Sequence, residues 1–380
     1  MNKTTNQSAQ FPIPAGKLYF PYGSNLHDWR HDSRLAGLLK PVRRAVLPDH
    51  ALGFNRYSSN REGGVLNIIP CLGLTVTGYL FEVQGKAGWD ALRKKEGAKA
   101  DGTGAYKEIE KVVLDDHGRE ITAITYEVTR RCFKDFVRPS EEYLKVVCAG
   151  FEAFELDPCG LERAAQDLAP VSDIDSIFVY GTLLRGECRH HIIQKYKPQC
   201  ILLAEAPGSL LDLCAYPGMI PPLDSNSHVQ GEFMRFNPEV MADLLKELDQ
   251  IEGFRGFGQP GSLFKRGLTD VHVGDGRVRQ AWVYRWADQP GDTPVIPAGG
   301  WREHQGKLSS FLEKLVQAHT GGNEQAAALM IASSAKWANT EEGIAEAVKQ
   351  LLPLRLALEQ GRLSERVLAK FSQNWATVPD

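Results

Sequence analysis

No apolar run in this 380-residue sequence approaches the roughly 20 residues that a membrane-spanning helix needs. An excess of basic charge is also missing. Lys and Arg number 44 against 47 Asp and Glu, a net charge of −3, whereas a nucleic-acid surface calls for a basic excess or stripe. The seven cysteines are odd in number and scattered, with neither Cys-x-x-Cys nor the spacing of a zinc site. That argues against a disulfide framework, fits a reducing, cytoplasmic compartment, and leaves the cysteines as small buried hydrophobes. His27 and His31 stand four apart without a third ligand nearby, so they read as helix surface and no metal is expected. Gly-x-Ser-x-Gly is absent, and Ser24 has no companion histidine in a recognisable spacing, which argues against a nucleophilic hydrolase. What remains is ordinary globular composition, 43% hydrophobic and 24% charged, in a chain long enough for two or three domains.

The sequence repeats itself. Tyr19-Phe20-Pro21-Tyr22-Gly23-Ser24-Asn25-Leu26 is answered by Ile177-Phe178-Val179-Tyr180-Gly181-Thr182-Leu183, each a short apolar run ending in Tyr-Gly-Ser/Thr. Gly78 answers Gly231, Glu96-Gly97 answers Glu252-Gly253, and Tyr126 answers Tyr284, in the same order and at nearly the same offset. One domain is therefore present twice.

In each copy the marked segments alternate apolar and polar residues over five to seven positions, the period of a half-buried strand. Glycines and prolines between them suggest a small barrel or strongly bent sheet with few helices. Helical pattern runs from Asp28 to Leu39, from Ala87 to Lys95 and from Pro238 to Ile251, the last two leading into the repeated Glu-Gly. A disordered leader is expected over 1–16, a first domain over 17–165, a linker over 166–175, a second domain over 176–301 and a helical extension over 302–380. That extension, with three or four helices, could pack on the second copy, hold a homodimer or recruit a partner.

A tight turn leaving a strand and entering a helix aims consecutive backbone N–H groups into one concavity. Tyr22 to Leu26 fits that description, with Gly23 allowing close approach and Ser24 and Asn25 adding side-chain donors. A helix ending in Glu-Gly sets a carboxylate where the chain reverses. If that site is partly desolvated, the group becomes a usable general base near neutral pH. Taken alone, the first feature reads better as a plain strand-to-helix turn and the second as a solvated helix end; their recurrence at matched spacing shifts the balance towards a shared site.

These residues resemble the γ-glutamylcyclotransferase superfamily, AIG2-like proteins included, which carries a Tyr-Gly-Ser/Thr substrate loop and a glutamate from a Glu-Gly segment. The first copy is similar to the branch acting on γ-glutamyl amino acids, through Tyr22 to Leu26, Phe54-Asn55-Arg56-Tyr57-Ser58, Gly63 to Pro70, Glu96-Gly97, Tyr106, Tyr126 and Pro139-Ser140-Glu141-Glu142-Tyr143. The second is similar to the γ-glutamylamine branch, through Tyr180-Gly181-Thr182-Leu183, Tyr216-Pro217-Gly218, Glu252-Gly253-Phe254 and Tyr284, with Phe264 where a tyrosine is usual.

The resemblance implies an α+β fold of two tandem small mixed β-barrel domains with flanking helices, plus the helical extension. It implies an enzyme in which the free α-amine of a γ-glutamyl group attacks its own γ-carbonyl, releasing 5-oxoproline. Glu96 and Glu252 would be the acid–base groups. Substrate would be held by Tyr22, Gly23, Ser24, Asn25, Leu26, Tyr106, Tyr126 and Tyr143 in the first copy, and by Tyr180, Gly181, Thr182, Leu183 and Tyr284 in the second. No cofactor or metal is implied, and the one partner is a small γ-glutamyl compound rather than nucleic acid or membrane. Two alternatives stay open: a non-catalytic module binding γ-glutamyl ligands in one or both copies, and removal of a γ-glutamyl protecting group from a biosynthetic intermediate.

Overall fold

The computed structural model describes residues 16–213 and 216–305. The expected leader, except for residue 16, and the expected helical extension, except for 302–305, lie outside the described residues, as does Cys214.

Two closed five-stranded barrels dominate. The first uses β1 (Leu18–Tyr19), β2 (Leu39–Ser58), β3 (Gly63–Val83), β4 (Tyr106–Asp115) and β5 (Glu120–Val128), in the order β1-β3-β2-β4-β5. Helices α1 (Asn25–His31), α2 (Gly85–Glu96), α3 (Glu141–Ala153) and α4 (Cys159–Ala165) flank it. The second barrel uses β6 (Ser176–Val179), β7 (Cys200–Pro207), β10 (His228–Arg235), β11 (Phe264–Val273) and β12 (Val278–Trp286). A separate two-stranded sheet pairs β8 (Ser209–Asp212) with β9 (Pro217–Ile220), and the helices of this half are α5 (His190–Gln194) and α6 (Met241–Ile251).

Read around the ring, the second barrel runs β6-β10-β7-β11-β12, the same cyclic order as the first. The registers coincide too. Tyr19 pairs with Ile124 across the parallel β1/β5 contact, and Ile177 pairs with Trp282 across β6/β12, each residue 158 positions further on. Tyr106 opposite Val128 becomes Phe264 opposite Trp286 at the same offset. The repeat read from the sequence is thus two tandem copies of one barrel, aligned pair by pair.

Three sequence expectations are corrected. The helical pattern from Asp28 does not continue to Leu39: α1 stops at His31 and Leu39 opens β2. Asp32 leaves the helix in an extended conformation (φ −89°, ψ 117°), its carboxylate accepts from the Arg34 amide, and Gly37 at φ +78° turns the chain. Strand lengths also depart from five to seven residues: β1 has only two, while β2 and β3 span 20 and 21 and pair along nearly their whole length, with three irregularities in register. The cysteines are not buried as expected. Among the described residues Cys148, Cys159 and Cys188 are exposed, and Cys71, Cys132 and Cys200 are half-buried.

The repeated Glu-Gly has a local cause. Gly97 and Gly253 both adopt the left-handed conformation at φ +61°, which costs glycine nothing. Behind each, the chain reverses on one backbone bond: the Ala98 amide donates to the Arg93 carbonyl (2.9 Å) and the Phe254 amide to the Asp249 carbonyl (2.8 Å). This is the glycine-terminated helix ending of α2 and α6.

By packing, the described residues divide into two compact units. One holds the described residues up to Phe178, with His191–Leu203 and Phe233–Ala287; the other holds Val179–His190, Ala204–Glu232 and the described residues from Asp288. In the first unit, Phe20, Leu26, Leu80, Phe81, Leu92, Val113 and Val147 are fully buried, each contributing about 1.5–3 kcal/mol through burial. α6 and β11 pack on the first barrel within this unit. A side chain at Gly118 would strike the Leu268 carbonyl, and Arg266 donates from Nη2 to both oxygens of Asp49 at 2.7 Å.

Candidate active site

The first copy contains a cleft of about 710 Å³ at the end of α2. Glu96, the last residue of α2, reaches it from one side and the turn into α1 from another. Asn25, 4% exposed, joins the two: its Nδ2 donates to Glu96 Oε1 at 2.6 Å and to the Tyr19 hydroxyl at 2.7 Å. Both hydrogens of that amide are therefore used, and Asn25 Oδ1 is buried with no hydrogen-bond partner among the described residues. Desolvation pushes the Glu96 carboxyl up to about 7, against the opposing pull of Lys95, the Asn25 hydrogen bond and Arg56. A carboxyl poised there exchanges protons in both directions at neutral pH.

The cleft walls are charged. Asp28 and Asp32 share Lys95, whose Nζ lies 2.7 Å from an oxygen of each. Arg61 also reaches Asp28, at 3.0 Å, and Arg34 binds Asp32 and holds its carboxyl well below the usual range. His27 and His31, expected on a solvated helix face, stack at 4.2 Å on the cleft rim.

Of the residues singled out in the first copy, Ser24, Asn25, Glu96, Tyr106 and Tyr143 line the cleft. The Tyr106 hydroxyl donates to the Leu66 carbonyl at 2.6 Å, and burial pushes the Tyr143 hydroxyl up to about 12. The others form the wall behind. Leu26 is core, the Tyr22 hydroxyl donates to the Tyr126 carbonyl (2.6 Å), and the Tyr126 hydroxyl donates to Glu108 (3.0 Å). Gly23 lies against Leu66, whose Cδ1 would be 3.3 Å from an added Cβ. Sequence reasoning missed Tyr19, Lys95, Arg61 and Arg56 as cleft or support residues; the Phe54-to-Ser58 motif contained Arg56 but gave it no role.

A γ-glutamylcyclotransferase from cattle (Bos taurus) is 35% identical to this chain over 138 residues, which are 35% of this chain and 69% of that protein. The chain belongs to the γ-glutamylcyclotransferase family. It is an enzyme of that type. The family model described as "Gamma-glutamyl cyclotransferase, AIG2-like" matches residues 177–303, the second copy. A γ-L-glutamyl-butirosin B γ-glutamyl cyclotransferase from Niallia circulans is 36% identical over 113 residues, 29% of this chain and 65% of that one. Among solved structures, one titled "Gamma-glutamyl cyclotransferase" is 28% identical, covering 40% of this chain and 88% of the other at a TM-score of 0.35. No helix among the described residues is long and apolar enough to cross a membrane.

In the second γ-glutamylcyclotransferase copy, the Met219 amide donates to the Tyr180 hydroxyl (3.2 Å), and an added Cβ at Gly181 would meet Pro217. Leu183 is buried and Thr182 half-buried. Glu252 is half-buried at the end of α6, and its carbonyl accepts from the Phe264 amide at 3.1 Å. The Tyr284 hydroxyl donates to Asp249 at 2.6 Å. Phe264 occupies the register position of Tyr106, so the missing hydroxyl read from the sequence falls on a cleft-lining position of the first copy.

Proposed function

We propose that the first copy releases 5-oxoproline from a γ-glutamyl compound, with Glu96 as its acid–base group. The α-ammonium of the substrate must lose a proton before its nitrogen can attack the γ-carbonyl. Glu96 takes that proton and passes it to solvent, the new C–N bond closes a five-membered ring, and Glu96 then moves the surplus proton of the ring nitrogen to the nitrogen that departs as the old C–N bond breaks. Asn25 Oδ1 accepts from the substrate nitrogen while its Nδ2 steadies Glu96. Amides of Gly23 and Ser24 hold the γ-carbonyl oxygen as it gains charge. Ring closure within one molecule lets holding the bent glutamyl chain supply much of the acceleration.

The single observation that carries this reading is the carboxyl of Glu96, raised to about 7 by burial and tied by a 2.6 Å bond to the residue that begins α1. Glu252, with the same glycine-terminated helix end, is the corresponding group of the second copy. A second reading, removal of a γ-glutamyl protecting group from a larger compound, is favoured by the relative named for γ-L-glutamyl-butirosin B. The chemistry is the same with a bulkier leaving amine.

The test is 5-oxoproline release by the full chain carrying Glu96→Gln, Glu252→Gln or both, on γ-glutamyl amino acids and γ-glutamylamines. Loss of an acid–base group lowers turnover about 10²–10⁴-fold. The double variant should fall that far, and the singles should divide the activity between the copies. Undiminished release by the folded double variant would refute the assignment.

A further inference from the structure

The cleft of the first copy holds more cations than its own carboxylates use. Asp28 and Asp32 are taken by Lys95, Arg61 and Arg34, and Lys94 at the rim is exposed to water. Arg56 differs from all of these. It is half-buried, lines the cleft, acts on Glu96 through its charge, and makes no ion pair with any carboxylate among the described residues. Its guanidinium lies 5.2 Å from the Tyr106 ring centroid and hydrogen-bonds the Tyr106 hydroxyl, which holds it beside the ring, and its five N–H donors outnumber that one acceptor.

The backbone is shaped to aim it. β2 carries an irregularity in register between Phe54 and Arg56, with Phe54 opposite Leu66 and Arg56 opposite Val65. The residue between them, Asn55, is 5% exposed and donates from Nδ2 to the carbonyls of Lys134 and Asp135, at 3.1 and 2.7 Å. A bulge anchored in this way re-aims the next side chain, and such bulges favour the edges of active sites. An arginine that is partly desolvated, held beside a ring and without an ion-pair partner among the described residues matches a planar carboxylate through two parallel hydrogen bonds.

We propose that Arg56 binds a carboxylate of the γ-glutamyl substrate, making it a specificity-determining residue of the first copy. The proposal rests on the reading of Glu96 given above. Two groups have the required chemistry: the α-carboxylate of the glutamyl moiety, and the carboxylate of a departing amino acid.

The experiment uses the full chain carrying Glu252→Gln, assayed at about pH 9, where Glu96 is ionised whether or not Arg56 is present. Arg56→Met and Arg56→Lys are compared on γ-glutamylalanine and on γ-glutamylethylamine, which lacks the leaving-group carboxylate. Loss of a charge-assisted pair should raise KM for γ-glutamylalanine at least about tenfold in Arg56→Met, with kcat within about threefold, and Arg56→Lys should recover part of the loss. An equal rise on γ-glutamylethylamine identifies the α-carboxylate; a rise confined to γ-glutamylalanine identifies the departing carboxylate. KM unchanged within about twofold on both substrates, in an active Arg56→Met or Arg56→Lys protein, overturns the proposal and leaves the role of Glu96 standing. A Glu252→Gln parent that releases 5-oxoproline from neither substrate overturns both together.

Discussion

In the first copy the helix that ends in the glutamate supplies Arg93 and the facing strand supplies Glu108; in the second the helix supplies Asp249 and the strand supplies Arg266. The positions correspond. Glu108 pairs with Tyr126 across β4/β5, and Arg266 pairs with Tyr284 across β11/β12. Arg93 and Asp249 each lie three residues before the glutamate. The ion pair has been kept and its signs exchanged, and the tyrosine hydroxyl follows the acid, to Glu108 in one copy and Asp249 in the other. Register fixes where a buried charge pair must stand, whereas desolvation demands only that its members be opposite. The two pairs differ in what else they hold. Arg93 lies 2.8 Å from both oxygens of Glu108, through Nε and Nη2. Arg266 is fully buried among Phe254, Phe257 and Trp282, and divides its charge between Asp249 (3.5 Å) and Asp49 of the first barrel (2.7 Å).

The comparison breaks most visibly if one member is removed. Deleting one partner of a buried pair costs about 3–5 kcal/mol, because the other charge is left behind. Arg266→Met strands two carboxylates, one of them, Asp249, already pushed up to about 6 by burial. It should destabilise more than Arg93→Met, which strands one buried carboxylate, Glu108, its other partner Asp90 (3.7 Å) being exposed to water. Urea unfolding of the two variants checks the order, and a smaller loss from Arg266→Met would show that its two carboxylates find solvent. Exchanging the signs in the first copy, Arg93→Asp with Glu108→Arg, should recover part of the Arg93→Met loss if charge sign is free at this position.

The first copy can also be read through pH. The Glu96 carboxyl is raised from its usual 4.5 to about 7 by burial, so between those values the folded state binds more protons than the unfolded one. Stability therefore falls as pH rises through that window, by on the order of 3 kcal/mol in all, with the full stability present only below about 4.5. Glu96→Gln removes the dependence: measured against its parent, it should gain nothing at about pH 4 and gain steadily up to about pH 7. In the Glu252→Gln background, 5-oxoproline release should rise as pH passes about 7, since the base must be ionised to take the proton. A first-copy rate that falls across the same range would reverse the role assigned to Glu96.

Much of this was legible in the chain. An offset near 158 linking the Tyr-Gly turns and the tyrosines Tyr126 and Tyr284 is the offset at which strand registers coincide, so the doubled barrel could be read before any coordinate. The Glu-Gly signal was legible for a double reason, as helix stop and as site, and sequence alone could not separate the two. What could not be read lies in contacts between distant segments. Asn25 meets Glu96 across 71 positions, and Arg56 owes its aim to a bulge that periodicity does not reveal. The sign exchange was present in the letters Arg93, Glu108, Asp249 and Arg266, but only the register makes those four residues two pairs. The end of α1 at His31 was hidden because the apolar spacing out to Leu39 imitates a helix, while the chain already leaves it at Asp32, which is extended and accepts from the Arg34 amide.

The smallest expected effect concerns a single hydroxyl. Tyr106 lines the cleft, lies under the Arg56 guanidinium and donates to the Leu66 carbonyl at 2.6 Å; Phe264 fills the same register position without that group. Tyr106→Phe therefore converts this point of the first copy into the second. It leaves a buried carbonyl without its donor and should cost about 1 kcal/mol in urea unfolding. The ring that supports Arg56 remains, so kcat should stay within about threefold, a shift of less than about 1 kcal/mol in the barrier. A drop in kcat beyond about tenfold would mean that the hydroxyl itself takes part in turnover. The second copy, which lacks it, would then have to close its ring with a different set of donors.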